Sequence, residues 1–264
     1  MEMEIGKLKP SVCVDAVFEG VPLEQSVKTV ADLGYPAFEF WCWWEKDLAQ
    51  LNDLRREYSL KIASCCTKFI SLTRPECRKL YLEGLEKSIE AAKTLDCNIL
   101  ISQVGDFVLG VDRADQQKSL VEGLTHAAKL LDGSGVKLVI EPLNEKVDHA
   151  GYYLIRSDEA FEIIEKVGSP NVQVVFDIYH QQISEGDLLT NILDNLENIG
   201  HFHAAGNPGR HELNSGEIHY PEIFKAIGAA GFEGYVGLEY WPENDPIQGL
   251  GQVARWFDRT EDPA

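Results

Sequence analysis

The chain has 264 residues and a formal net charge of −19, from 43 Asp and Glu against 24 Lys and Arg, with 44% hydrophobic residues. That balance argues against nucleic acid or an anionic membrane as a partner, because an acidic surface repels phosphate, and it leaves enough apolar sequence for a sizeable core. No apolar run approaches the roughly 20 residues of a membrane span, and "MEMEIGKLKP" lacks the apolar stretch of a signal peptide, so the expected compartment is the cytoplasm.

From residue 9 onward strand-like and helix-like runs alternate without a Pro/Gly/Ser-rich linker, which predicts one domain over 1–264. The first strands are read at 9–18 ("KPSVCVDAVF"), 36–44 ("PAFEFWCWW") and 61–67 ("KIASCCT"), and the fourth at 97–105 ("CNILISQVG"). All six cysteines fall here (Cys13, Cys42, Cys65, Cys66, Cys77, Cys97), none in a CxxC pair, and they read as small reduced core residues rather than a zinc knuckle or a disulfide framework. Helical stripes follow: Leu82, Leu85, Ile89 and Ala92, then Leu120, Leu124, Ala127, Ala128 and Leu131. Further strands are read at 136–144 ("VKLVIEPLN"), 171–180 ("NVQVVFDIYH"), 200–207 ("GHFHAAGN") and 233–242 ("EGYVGLEYWP"). Gly34, Gly133, Gly135, Gly168 and Gly231 suit helix C-caps ahead of the next strand. Eight strands alternating with helices in this length predict an α/β fold, a single closed (β/α)8 TIM barrel, whose usual size is roughly 250 residues.

The second half of the chain sets a polar side chain near the end of each apolar strand: Glu141, Asp177, His203 and Glu239. Residues i and i+2 of a barrel strand share a face, so Val139 with Glu141, Val175 with Asp177, and His201 with His203 can point inward, the later member reaching the mouth where loops carry active sites. Three carboxylates and an imidazole brought together repel unless a divalent cation joins them. An oxygen-rich set with one nitrogen suits Mn²⁺ first, with Mg²⁺ or Co²⁺ as alternatives. An octahedral ion with four protein ligands keeps two positions for a hydroxy-carbonyl substrate, whose enediolate it would stabilise after a carboxylate takes the adjacent C–H proton. His126 and His219 read as structural, and His201 as a core histidine without a role. Trp41, Trp43, Trp44 and Trp241 could wall a pocket or simply pack.

The stretches "IEPLN", "VVFDIYH", "HFHAAGNPGRHELNSGEIHY" and "GYVGLEYWP" resemble the xylose-isomerase-like TIM barrels, and within them the hydroxypyruvate isomerase family, close to the ketose 3-epimerases, over essentially the whole chain. The resemblance implies that Glu141, Asp177, His203 and Glu239 are the metal ligands and that Glu141 and Glu239 also form the acid/base pair on opposite sides of the substrate. It further implies that His180 and Arg210 bind substrate oxygens and that the enzyme dimerises. Two departures stand out. The isomerases often carry an amide where this chain has His203, as the epimerases do not, and the epimerases carry a glutamate where this chain has Val147.

The leading expectation is an isomerase taking hydroxypyruvate to tartronate semialdehyde through a cis-enediolate, or acting on an analogous small sugar. A ketose 3-epimerase and then a sugar dehydratase are the alternatives, since both need the same parts with a differently placed acid. A multi-zinc DNA endonuclease of the same superfamily needs early-strand histidines and a basic groove; strands one to four offer Asp15, Glu39 and Gln103.

Overall fold

The computed structural model of the protein describes residues 6–257. In chain order the elements are β1 (Lys9–Cys13), α1 (Val14–Val17), α2 (Leu23–Asp32), β2 (Ala37–Glu39), α3 (Leu48–Glu57), β3 (Lys61–Ile62), β4 (Cys65–Cys66), α4 (Arg78–Leu95), β5 (Ile99–Ser102) and α5 (Arg113–Leu131). There follow β6 (Lys137–Ile140), α6 (Ser157–Val167), β7 (Val172–Asp177), α7 (Ile178–Ser184), α8 (Leu188–Asp194), β8 (Ile199–Ala204), α9 (Tyr220–Ala229), β9 (Tyr235–Leu238) and α10 (Pro246–Phe257).

The strands form one parallel sheet in the order β3-β2-β1-β9-β8-β7-β6-β5-β4. Nine strands stand where eight were expected because the third is broken: β3 pairs with β2, β4 pairs with β5, and Ala63 and Ser64 between them make the change of partner. Backbone N–H groups complete the ring there, Ala63 donating to the Phe38 carbonyl and Cys66 to that of Trp41, both at 2.9 Å, and Thr67 to that of Ile101 at 2.8 Å. The barrel is thus nearly closed, and few strand edges are left unpaired.

Alternation along the strands sorts side chains between two cores. In β7, Val172, Val174 and Phe176 join the large cluster between sheet and helices, while Val175 turns inward with Cys66, Ile101 and Val139 to plug the barrel. Both faces of β7 are covered, which is why its text reads as continuous apolar sequence. Each fully buried Val or Phe contributes about 1.5–3 kcal/mol of hydrophobic stabilisation, so the inward polar residues must be held in place against a strong preference for apolar ones.

The helices end as their residues dictate. In α6, Ala160, Phe161, Ile163 and Ile164 form the buried face, and Gly168 closes the helix at φ 65°, donating its N–H to the Ile164 carbonyl. At the end of α4 the same left-handed position is taken by Asp96, φ 54°, an Asx residue that tolerates it. Four of the cysteines are buried, Cys42 and Cys77 are partly so, and all six are unpaired.

Candidate active site

Every predicted strand-end residue comes to one end of the barrel. Glu141 directly follows β6, Asp177 is the last residue of β7, His203 is next to last in β8, and Glu239 directly follows β9. The parallel register sets Asp177 beside His203 and His203 beside Gly237, so donors on neighbouring strands arrive at one level. One ligand atom from each of Glu141, Asp177, His203 and Glu239 lies within 4.8 Å of the others, with all four residues buried.

Asp177 uses its two oxygens differently. Oδ1 accepts the backbone N–H groups of Tyr179 and His180, at 2.8 and 3.1 Å, and so caps α7. Oδ2 is buried and has no hydrogen-bond partner among the described residues. Burial raises the Asp177 carboxyl to about 7, Glu239 and Glu141 push the same way, and Arg210 and His203 oppose them. His203 lies with Nδ1 3.2 Å from Glu141 Oε1 and 3.7 Å from Glu239 Oε2. Burial works to lower its pKa, but Glu239 and Glu39 outweigh that and hold it well above the usual imidazole value.

Glu239 accepts from the Trp41 indole N–H at 2.6 Å on Oε1 and pairs with Arg210 on Oε2. Burial would raise its carboxyl, yet His203 and Arg210 keep it below the ordinary value. Arg210, at φ 56° in the loop after β8, has its guanidinium carbon 5.3 Å from the Tyr179 ring centre and 5.0 Å from that of Trp241, and lies 3.9 Å from Asp148 Oδ1. Asp148 is held in turn by Tyr179 Oη at 2.9 Å and Asn144 Nδ2 at 2.7 Å. Val147, the neighbour that departs from the epimerase pattern, is exposed.

A cavity of about 210 Å³ opens over this cluster. Glu141, His203, Arg210 and Glu239 form its polar floor, and Trp41, Phe69, Ile101, Leu143 and Trp241 its apolar wall. Two of the four tryptophans singled out in the sequence therefore line the mouth. Trp43 packs on the outer core with its N–H on Ser88 Oγ, and Trp44 meets Phe69 edge to face at 5.4 Å. His180 is fully buried behind the cavity: its Nδ1 accepts from the Asn144 backbone N–H at 3.2 Å, and its unpartnered Nε2 lies 3.6 Å from Asp177 Oδ2.

The donor set fits a divalent cation. Three carboxylates and one imidazole offer hard oxygens and a single nitrogen, and the lone Asp177 oxygen is an orphaned acceptor of the kind such an ion satisfies. Below the cluster lie two residues that received no role from the sequence. Glu39 ends β2 and meets both His201 and His203, each at 3.0 Å. Its signal was the same as that of Asp177, an acid inside an apolar run, and His201 stands two residues before His203 on the same inward face.

The sequence profile of the xylose isomerase-like TIM barrel matches residues 27–260. The hydroxypyruvate isomerase of Escherichia coli K12 is 34% identical over 178 residues, 67% of each chain. The 2-oxo-tetronate isomerase of Cupriavidus necator is 35% identical over 173 residues, 66% of each chain. Among solved structures, an AP endonuclease, family 2, from Brucella melitensis superposes with a TM-score of 0.89 at 26% identity, covering 94% of this chain and 98% of the other.

Proposed function

Starting from a chain that belongs to the xylose isomerase-like TIM barrel family and is an isomerase, we propose that it interconverts a 3-hydroxy-2-oxo acid, hydroxypyruvate, and its 2-hydroxy-3-oxo isomer, tartronate semialdehyde. Glu141, Asp177, His203 and Glu239 would hold the divalent cation, Mn²⁺ by preference. The observation that carries this reading is the convergence of their ligand atoms to within 4.8 Å at the barrel mouth. Residues 1–264 are read as one such unit, which the match over 27–260 supports.

When bound, the cation supplies Lewis acidity that polarises the substrate carbonyl and spreads the charge of the enediolate. Arg210 binds the carboxylate end, a role its buried guanidinium suits because it stays charged and offers a planar fork. His180, expected to bind a substrate oxygen, lies behind the cavity instead, where its Nε2–H would steady Asp177 Oδ2, 3.6 Å away, for the cation. Glu141, whose Oε2 has no hydrogen bond within the described residues, takes the proton from C3 and returns it to C2 of the resulting enediolate. Glu239, across the cluster, moves the hydroxyl proton from O3 to O2, so the product differs from the substrate only in the placement of two hydrogens. Trp41, Phe69 and Trp241 keep bulk water from the enediolate, which favours proton return over loss.

A short acid fits the site better than nucleic acid. The cavity is about 210 Å³, Arg210 is the one Lys or Arg lining it among the described residues, and the chain carries −19 overall. Six unpaired cysteines support placement in a reducing cytoplasm. The test is turnover in deuterated water by the metal-stripped protein with and without Mn²⁺, offered hydroxypyruvate, four-carbon 2-oxo acids and a panel of ketoses. Mn²⁺-dependent formation of the aldehyde product is expected, with the C3 proton largely retained at C2 and deuterium entering there only in turnovers in which Glu141 exchanges before returning it. Label confined to C3 of a ketose would replace this reading with the 3-epimerase, and no metal-dependent turnover of any of them would end it.

A further inference from the structure

Glu39 is a buried carboxylate that the proposed chemistry does not use. It is 2% exposed and touches no Lys or Arg within the described residues, so its charge must be satisfied by what surrounds it. Oε2 accepts from Ser11 Oγ at 2.8 Å and from His201 Nε2 at 3.0 Å. Oε1 has no aligned hydrogen bond, nor has His203 Nε2, yet the two atoms are 3.0 Å apart. A modest turn of the imidazole would bring its N–H into line. The other ring nitrogen, Nδ1, already faces Glu141 and Glu239.

The backbone makes room for this carboxylate. Gly237 on β9 stands beside His203 in register, and a Cβ there would come 1.9 Å from Glu39 Oε1 and 2.6 Å from its carboxyl carbon. Glycine at this position leaves the space that Glu39 fills.

We infer that Glu39, braced by Ser11 and His201, is the positioning residue for His203: it holds the Nε2 proton and so turns the Nδ1 lone pair toward the cation. A neutral imidazole has one donor and one acceptor nitrogen, and a carboxylate on one side settles which is which. The competing use of the same atoms is a second cation among Glu39, His201 and His203. Against it, Glu39 Oε2 is already occupied by Ser11 and His201, and neither Glu39 nor His201 lines the cavity, which Glu141, His203 and Glu239 of the other group all do.

The inference rests on the cation reading above, and the experiment separates the two. Mn²⁺ binding to the full chain is followed by the electron paramagnetic resonance of the free ion, for wild type and for Glu39→Gln, which preserves shape. One ion per wild-type chain is expected, with affinity about 10- to 100-fold weaker in Glu39→Gln and an unchanged circular dichroism spectrum for the metal-free variant. In parallel, long-range proton–nitrogen spectra of Zn²⁺-loaded wild type, assigned by comparison with His203→Gln, should show His203 protonated at Nε2 and metal-shifted at Nδ1. This second arm keeps the inference open to refutation even if Glu39→Gln does not fold. Affinity within twofold of wild type, a second ion per chain, or His203 protonated at Nδ1 overturns the inference while leaving the cation reading intact. A wild-type chain that takes up no ion overturns both.

Discussion

Asp177 shows how much one side chain can be asked to do. Its Oδ1 fixes the start of α7, which leaves Oδ2 as the only oxygen it can turn to a cation. In the metal-free fold its carboxyl titrates near 7, above the roughly 3.9 of an unfolded chain, so between those values the native state holds the extra proton. Stability from this group is complete below about pH 4 and is lost as pH rises through 7. Asp177→Asn cannot lose that proton. The stability of the metal-free variant relative to metal-free wild type should therefore grow between pH 5 and pH 8, as read from urea midpoints with chelator present; a constant difference contradicts the assignment. The same proton competes with metal, so Mn²⁺ affinity of wild type should fall as pH drops below 7. Glu141→Gln and Glu239→Gln should each lower kcat by about 10²- to 10⁴-fold, the usual worth of a positioned acid or base, in steady-state assays with Mn²⁺ saturating. The quartet was legible because each acid or imidazole interrupts an apolar strand. The pairing of Glu39 with His201 and His203 was not, since contacts between residues 162 and 164 positions apart leave no periodic trace.

Among elements, β9 is tuned most closely to the site. Gly237→Ala would drive a methyl group into the Glu39 carboxylate from a strand hydrogen-bonded on both sides, and neither backbone can retreat. Overpacking of this kind costs about 1–3 kcal/mol, so the variant should unfold at lower denaturant and also bind Mn²⁺ less tightly. Normal stability with normal Mn²⁺ affinity would mean that Glu39 has room to move. Strands were legible wherever both faces are buried, yet their ends were read too long. The run 171–180 contains β7 only to Asp177, because the carboxylate that looked like a strand residue starts a helix, and that carries His180 behind the cavity. The break at Ala63 and Ser64 has no marker in the text; it is imposed by the need to pair with two different neighbours. The left-handed end of α4 escaped for a similar reason, being Asp96 where glycine is the usual sign.

At the scale of the molecule, a cation that binds only the folded barrel stabilises it by mass action. At 100 times its dissociation constant the gain is about 2.7 kcal/mol, or roughly 5–10 °C in melting temperature for a chain of this size. Scanning calorimetry with Mn²⁺ and with chelator measures it, and identical melting curves would deny a native-state site. The barrel itself was legible from the rhythm of strand and helix, because a ring of parallel strands needs every unit to repeat. Its seam is where β1 meets β9, pairing Lys9 with Tyr235 and Val12 with Leu238. Glu239 follows the last strand across that seam, while Glu39 and Trp41 come from the opening part of the chain. The four ligands stand on β6 to β9, neighbours within the sheet, so what the seam adds is the Trp41 N–H on Glu239 and the Glu39 carboxylate behind His203. Tightness of grip is thus a gauge of circumference: a chain whose first and final strands have not met would hold the metal with the same donors, less firmly braced.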